Sequence, residues 1–231
     1  MKKRIITIIL MMTVLLALPG FGTREAQATS KKTLKATVYD DVLKNGNYAY
    51  CLAAYNGLES RLYKVNLKTG KVTRLTGKML NPKGMKYRKG YLYFASGSTD
   101  TDEGALYRIG VKSKKKKKLA QVSVMYSPYY VLGKNKIYYK HVKYDWDKDT
   151  FIRKYKQMNY DGSGKKYNKN ITIKMSHKNS NATGYRLRYV EHKGETYYDE
   201  DWDEYVTEIY YKCYLVKPDG SKIYLCKAED Y

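Results

Sequence analysis

Beyond about residue 36, apolar and polar positions alternate with a period of two in short runs, the pattern of half-buried β-strands. The first set of runs covers residues 37–43, 47–55, 61–67 and 71–75. Asn45-Gly46 separates the first two runs and suits a two-residue hairpin turn. Lys68-Thr69-Gly70 separates the last two, and β-branched and aromatic residues fill the strands between. This is a four-stranded antiparallel meander, with strands A to D in chain order. The one long apolar stretch that could form a helix is residues 5–18. The pattern therefore predicts an all-β chain.

The meander recurs. A basic turn followed by an aromatic strand appears at residues 44–50, 88–94, 134–139 and 192–198, with Gly46, Gly90, Asn135 and Gly194 at matching positions. Residues 106–111 repeat residues 62–67 at an offset of 44, and Pro82 and Pro128 precede strand A of the second and third copies. Residues 157–166 and 213–226 supply strand C, a turn and strand D of the third and fourth. The repeats run over about 37–76, 84–120, 128–173 and 185–227. A period of roughly 40–50 residues built from short strands is that of propeller blades.

These Tyr-Tyr strands, the Leu-Tyr-x-Ile/Val strands and the Asp-Gly-Ser and Thr-Gly turns together resemble a secreted bacterial propeller-like repeat family of unknown function, itself similar to TolB-type and lipoprotein-receptor-type β-propellers. The resemblance covers residues 38–227 and implies a β-propeller-like fold with a non-enzymatic binding role. It brings no catalytic residues. Such propellers have six or more blades, whereas this chain has four repeats. Either four blades make a small closed or nearly closed ring, the arrangement favoured here, or the array stays open and incomplete and leaves strand edges unpaired.

The amino terminus reads as an export signal. Lys2, Lys3 and Arg4 precede the apolar run, Pro19-Gly20 breaks it, and Ala26-Gln27-Ala28 fits a small-x-small cleavage site. Residues 1–28 are expected to be removed, leaving a single β domain over 29–231 that is secreted or associated with the cell envelope. Later runs are too short to cross a bilayer.

Charge sharpens the functional reading. The net charge of +23 drops only to about +20 without the leader, and most of it is lysine. Lysine gives diffuse attraction rather than forked recognition, so the expected partners are polyanions, an anionic cell-wall polymer first among them. In a meander the A–B and C–D turns share one edge and the B–C loops the other. Sorted this way, Lys68, Lys71, Lys89, Lys114, Lys115, Lys116, Lys117, Lys118, Lys165, Lys166 and Lys193 fall on one basic edge, with Asp161 and Asp219 as turn formers. The opposite edge is acidic and carries the only two tryptophans, Trp146 and Trp202. Exposed, these could stack on sugars or anchor a protein partner; folded back, each would lid its own blade. Asp145, Asp147, Asp149, Asp199, Asp201 and Asp203 alternate as calcium ligands often do, without the glycine and terminal glutamate of an EF-hand. No cofactor is expected.

Three cysteines remain. With Asp219-Gly220 as a two-residue turn, Cys213 and Cys226 lie opposite each other, within reach of a disulfide in an oxidising compartment. A bond from Cys51 to the last repeat is the rival, and three free thiols the third possibility. Enzyme signatures are absent: no zinc-spaced histidines and cysteines, no Gly-x-Ser-x-Gly, no phosphate loop. The expectation is a non-catalytic binding protein. Its alternatives are a protein-interaction module built on the tryptophan loops and, less favoured, a carbohydrate-active enzyme.

Overall fold

The structure, a computed structural model, describes residues 30–98, 102–124 and 129–228. The export signal and Pro128 lie outside the described residues. All regular structure among the described residues is β. The first blade comprises the second half of β1 (Lys32–Asn45), β2 (Tyr48–Ala54), β3 (Glu59–Asn66) and β4 (Val72–Arg74), with β5 (Met79–Leu80) added to β3. The second is β6 (Lys83–Arg88), β7 (Tyr91–Gly97), β8 (Glu103–Gly110) and β9 (Lys116–Ser123). The third is β10 (Tyr130–Leu132), β11 (Ile137–Asp145), β12 (Thr150–Met158) and β13 (Lys166–Tyr167). After β14 (Ile171–Ser180), the fourth holds only β15 (Arg186–Asp199), β16 (Glu204–Val216) and β17 (Lys222–Ala228).

Alternation along the strands builds the cores between blades. In β2, Ala49, Cys51 and Ala53 face a core shared with Cys213, Leu215 and Leu225 of the fourth blade. Tyr50 and Leu52, on the other face, join Leu92, Phe94 and Ile109 of the second. In β7 the faces divide again: Tyr93 and Ala95 pack against Tyr130, Ile137 and Tyr139 of the third. The spatial order is therefore fourth, first, second, third. Among the described residues no core joins the third blade to the fourth. Of the two architectures that the sequence leaves open, this is the incomplete β-propeller.

The fourth repeat departs from expectation. Its A–B turn does not exist: β15 runs through Lys193 and Gly194, with Lys193 opposite Ile209 and the register shifting before Thr196. A Cβ on Gly194 would lie 2.6 Å from the Glu208 carboxylate, so this glycine serves a strand irregularity and not a turn. The expected strands A and B are merged in β15, and the preceding strand, β14, pairs in parallel with β1 from Lys32↔Ile171 to Tyr39↔Lys178. Hydroxyl contacts Thr33–Thr172 (3.1 Å) and Thr37–Ser176 (2.9 Å) line that seam.

Candidate polyanion-binding edge and the opposite rim

The turns gather on one edge, linked by their own hydrogen bonds. Leu67 N–H donates to Asn47 O (2.9 Å) in the first blade, and Val111 N–H to Gly90 O (3.0 Å) in the second. Lys89-Gly90 forms a tight turn with both residues at positive φ, 45° and 80°. The fourth blade joins through Asn181, which accepts from Lys44 N (2.6 Å) and donates to Lys44 O (2.8 Å).

Between the second and third blades this edge is concave. A cleft of about 340 Å3 is lined by Arg88, Lys89, Arg108 and Lys134, with Tyr91 and Tyr160 as walls. Both guanidinium groups are held. Arg88 Nη2 donates to Lys134 O (2.6 Å) and lies 4.6 Å from the Tyr160 ring centroid. Arg108 Nη1 donates to Tyr160 O (2.8 Å) and lies 4.9 Å from that of Tyr91. Planar cations seated on aromatic faces keep donors free for an anion. Among the described residues no carboxylate lines the cleft, and their ion pairs, such as Arg153–Asp102 at 2.8 Å, lie elsewhere.

The expected lysines distribute unevenly around it. Lys68 and Lys71 are exposed in and after the β3–β4 turn, and Lys89 lines the cleft. Lys114 and Lys115 occupy the β8–β9 turn, but Lys116, Lys117 and Lys118 belong to β9, paired with Ile109, Arg108 and Tyr107. The lysine run is thus half turn and half strand; Lys117 Nζ donates to Asp161 O (2.8 Å) near the cleft. Lys165 and Lys166 are exposed at the third C–D turn. Lys193 is not on this edge, because it sits in mid-strand on β15. Asp161 and Asp219 are turn formers: each accepts from the hydroxyl and the N–H of the serine two residues on, which holds its carboxyl below the usual range.

Arg108 and Tyr160 escaped the sequence reading, although a signal existed. Arg108 occupies the strand-C position of Lys64, and Lys64 lies 4.1 Å from the Tyr48 ring centroid in the same diagonal relation that Arg108 has to Tyr91.

The opposite rim carries the acidic hairpins. Trp146 and Trp202 are 85% and 77% exposed, so neither acts as a lid. The tips at 145–150 and 199–204 share one construction. Tyr144 and Tyr198 donate to Asp149 and Asp203, five residues on, and Asp149 and Asp203 have φ of 47° and 53°. Tyr144 and Tyr198 also cross edge-on to Phe151 and Tyr205. Trp146 is the first loop residue of its tip and Trp202 the third of its own. Asp199 Oδ1 accepts from Asp201 N (3.0 Å). Asp145, Asp147 and the other tip aspartates form no group of metal-ligand type among the described residues. Asp102 is 2% exposed and bonds Ser123, Val124 N and Arg153.

A second cleft, of about 610 Å3, opens between the first and fourth blades and is lined by Asp40, Asp41, Lys83, His177 and Tyr189 among others. The β1–β14 register skips a residue at Asp40-Asp41, a bulge that re-aims side chains. Asp40 accepts from Gly84 N (2.9 Å) and contacts His177 Nδ1 (2.9 Å). Burial, then the charge of Asp40, pushes the Asp41 carboxyl up to about 6.

Cys213 and Cys226 face each other, and with Cys51 they share the core between the first and fourth blades. All three are free thiols in this structure, without the expected bond. Hydrogen bonding with Cys213 leads the causes that bring the Cys226 thiol down to about 7, against burial and with help from Tyr63 and the Arg61 charge.

No family model matches the chain, and no curated protein matches it. Solved structures align with it at low identity and low TM-score. The apo AtxE2 isopeptidase aligns with TM-score 0.41 and 12% identity over 78% of this chain and 26% of its own. A nidogen/laminin complex aligns at 0.35 and 11%, over 87% and 66%. A GH43 endo-arabinanase from Bacillus licheniformis aligns at 0.34 and 14%, over 84% and 79%. The chain thus spans about a quarter of the isopeptidase. The propeller assignment rests on the strand order and cores above.

Proposed function

We propose that this is an exported, non-catalytic binding protein of the cell envelope that holds anionic polymer on its turn edge. The carrying observation is the Arg88–Arg108 cleft: four cations converge on a concave surface with no carboxylate in its lining. Lys117, Lys165 and Lys166 extend the positive field beside it, and low-dielectric walls focus such a field. The two carboxylate oxygens of Asp40 engage Gly84 N and His177, which favours a structural role for the acidic cleft over a catalytic one.

Binding of poly(glycerol phosphate), measured by titration over a salt series, tests the proposal. Affinity should fall steeply with salt, by roughly 0.7 log units per log unit of salt for each phosphate contacted on a flexible chain. Arg88→Gln with Arg108→Gln should weaken binding and reduce that slope by about 1 to 2. Unfolding temperature serves as the control for fold. Binding indifferent to salt, or unchanged in the double variant, would overturn the reading.

A further inference from the structure

Among the described residues, the outer half of the β15–β16 hairpin pairs with no third strand, and the exposed Lys227–Glu208 ion pair (2.9 Å) ties it at its base. Residues 193–209 include no buried residue. The last described residue of β17, Ala228, pairs with Tyr211, so beyond that point the described hairpin is a two-stranded ribbon. Such a ribbon is marginal in water by itself. Yet it displays Tyr197, Tyr198, Trp202, Tyr205 and Ile209, exposed by 47% to 77%. It is also sharply polar: the segment holds seven of the chain's 22 acidic residues and a single lysine. Its register puts Tyr198, Tyr205 and Ile209 on one face, and Tyr197 with Asp199, Glu204 and Glu208 on the other. Tyr198 and Tyr205 face each other on one side above the Thr196–Thr207 hydroxyl contact (2.8 Å). Asp199 and Glu204 close the tip around Trp202.

A surface complementary to this arm exists on the same protein. The cleft between the second and third blades offers Arg88, Lys89, Arg108 and Lys134 with tyrosine walls. It lies on the turn edge, whereas the arm tip projects from the other rim, so one molecule presents both halves of a heterologous contact. We propose that the arm of one molecule docks in the basic cleft of a second copy, Trp202 against the tyrosine walls and the tip carboxylates against the guanidinium groups, and that the protein self-associates head to tail. The proposal rests on the reading of that cleft as an acceptor of anionic groups. Heterologous contacts of this kind extend into chains unless a rotation closes them. Anionic polymer and arm then compete for one cleft.

Sedimentation velocity at about 0.05 M and about 0.5 M salt, where the screening length falls from roughly 14 Å to roughly 4 Å, reads the contact directly. The wild-type protein should associate reversibly at low salt and dissociate at high salt or on addition of poly(glycerol phosphate). An arm variant (Asp199→Asn, Asp201→Asn, Asp203→Asn, Trp202→Ala) and a cleft variant (Arg88→Gln, Lys89→Asn, Arg108→Gln) should each sediment as monomers. Mixed, they should form a one-to-one dimer that grows no further, because one intact arm meets one intact cleft. Trp202→Ala alone, at least tenfold weaker in association, replaces the arm variant if that variant does not fold.

A wild-type monomer at low salt, a cleft variant that still self-associates, or a mixture that stays monomeric would overturn head-to-tail docking. Continued association of the cleft variant would indicate arm-to-arm pairing instead. The two readings separate cleanly. Polymer binding by a protein that never self-associates sinks the arm proposal alone, and association without polymer binding sinks the polymer reading alone.

Discussion

At the scale of single residues, Asp41 has the clearest consequence. Its carboxyl, pushed up to about 6 by burial and by Asp40, holds a proton in the folded chain over a range where the unfolded chain has lost it. The stability this provides is fully present below about pH 4 and is lost as pH rises through about 6, because ionisation then has to occur in a desolvated site. Asp41→Asn removes that loss. The variant should match the parent near pH 4 and exceed it at pH 7 by on the order of 1 kcal/mol, a figure already discounted for solvent screening at a partly exposed group. Urea unfolding of both proteins across this range measures the difference; a gap constant with pH would contradict it. Nothing in the sequence singled Asp41 out, because the feature that sets its environment is the bulge, and that arises only when β14 pairs with β1.

At the scale of elements, turn chemistry was legible and long-range pairing was not. The Asn-Gly, Lys-Gly and Asp-Gly-Ser turns announce themselves because positive φ favours few residues. Lys193-Gly194 carries the same letters in a strand, at the register shift before Thr196. That one misreading split the continuous β15 into two strands and hid the arm. For the same reason Tyr197 and Tyr198 are both exposed, while of the corresponding pair Tyr138 and Tyr139 the second is buried as alternation predicts.

The cysteine pair came out by two irregularities that cancel. The loop holds three residues, closed by Lys217 N–H to Ser221 O (2.9 Å), which sets Tyr214 opposite Tyr224; a bulge then restores Cys213 opposite Cys226. With glutathione disulfide as oxidant, the Cys226 thiolate should attack, and Cys213 should then displace the glutathione thiol to leave a Cys213–Cys226 bond. Peptide mass mapping should show that bond and an alkylated Cys51, and the closed loop should add up to roughly 3 kcal/mol of stability. Three alkylated cysteines, or a bond to Cys51, would refute it.

At the scale of the molecule, the order fourth–first–second–third makes stability a gradient. β2 and β7 bury both faces, each strand contributing to two cores, so their amides open only with the whole domain. The first blade, first among the described strands, is flanked on both sides, because β14 pairs with β1 and the last blade covers it through the core around Cys51. The arm, by contrast, shares its side chains with no core and opens by itself. Hydrogen exchange should therefore rank β2 and β7 slowest and residues 193–209 fastest, with the inner half of β15 between them. Leu215, fully buried against Ala49, Cys51 and Tyr63, tests which blades form one cooperative unit. Leu215→Ala should cost about 2–5 kcal/mol. If the fourth blade detaches on its own, the variant should speed exchange in β16 and the reaction of Cys51 with a thiol reagent, and leave β7 and β11 as protected as before. Equal acceleration in β7 and β11 would mean that the four blades open as one body, and that the gap between the third and fourth blades does not divide the domain energetically.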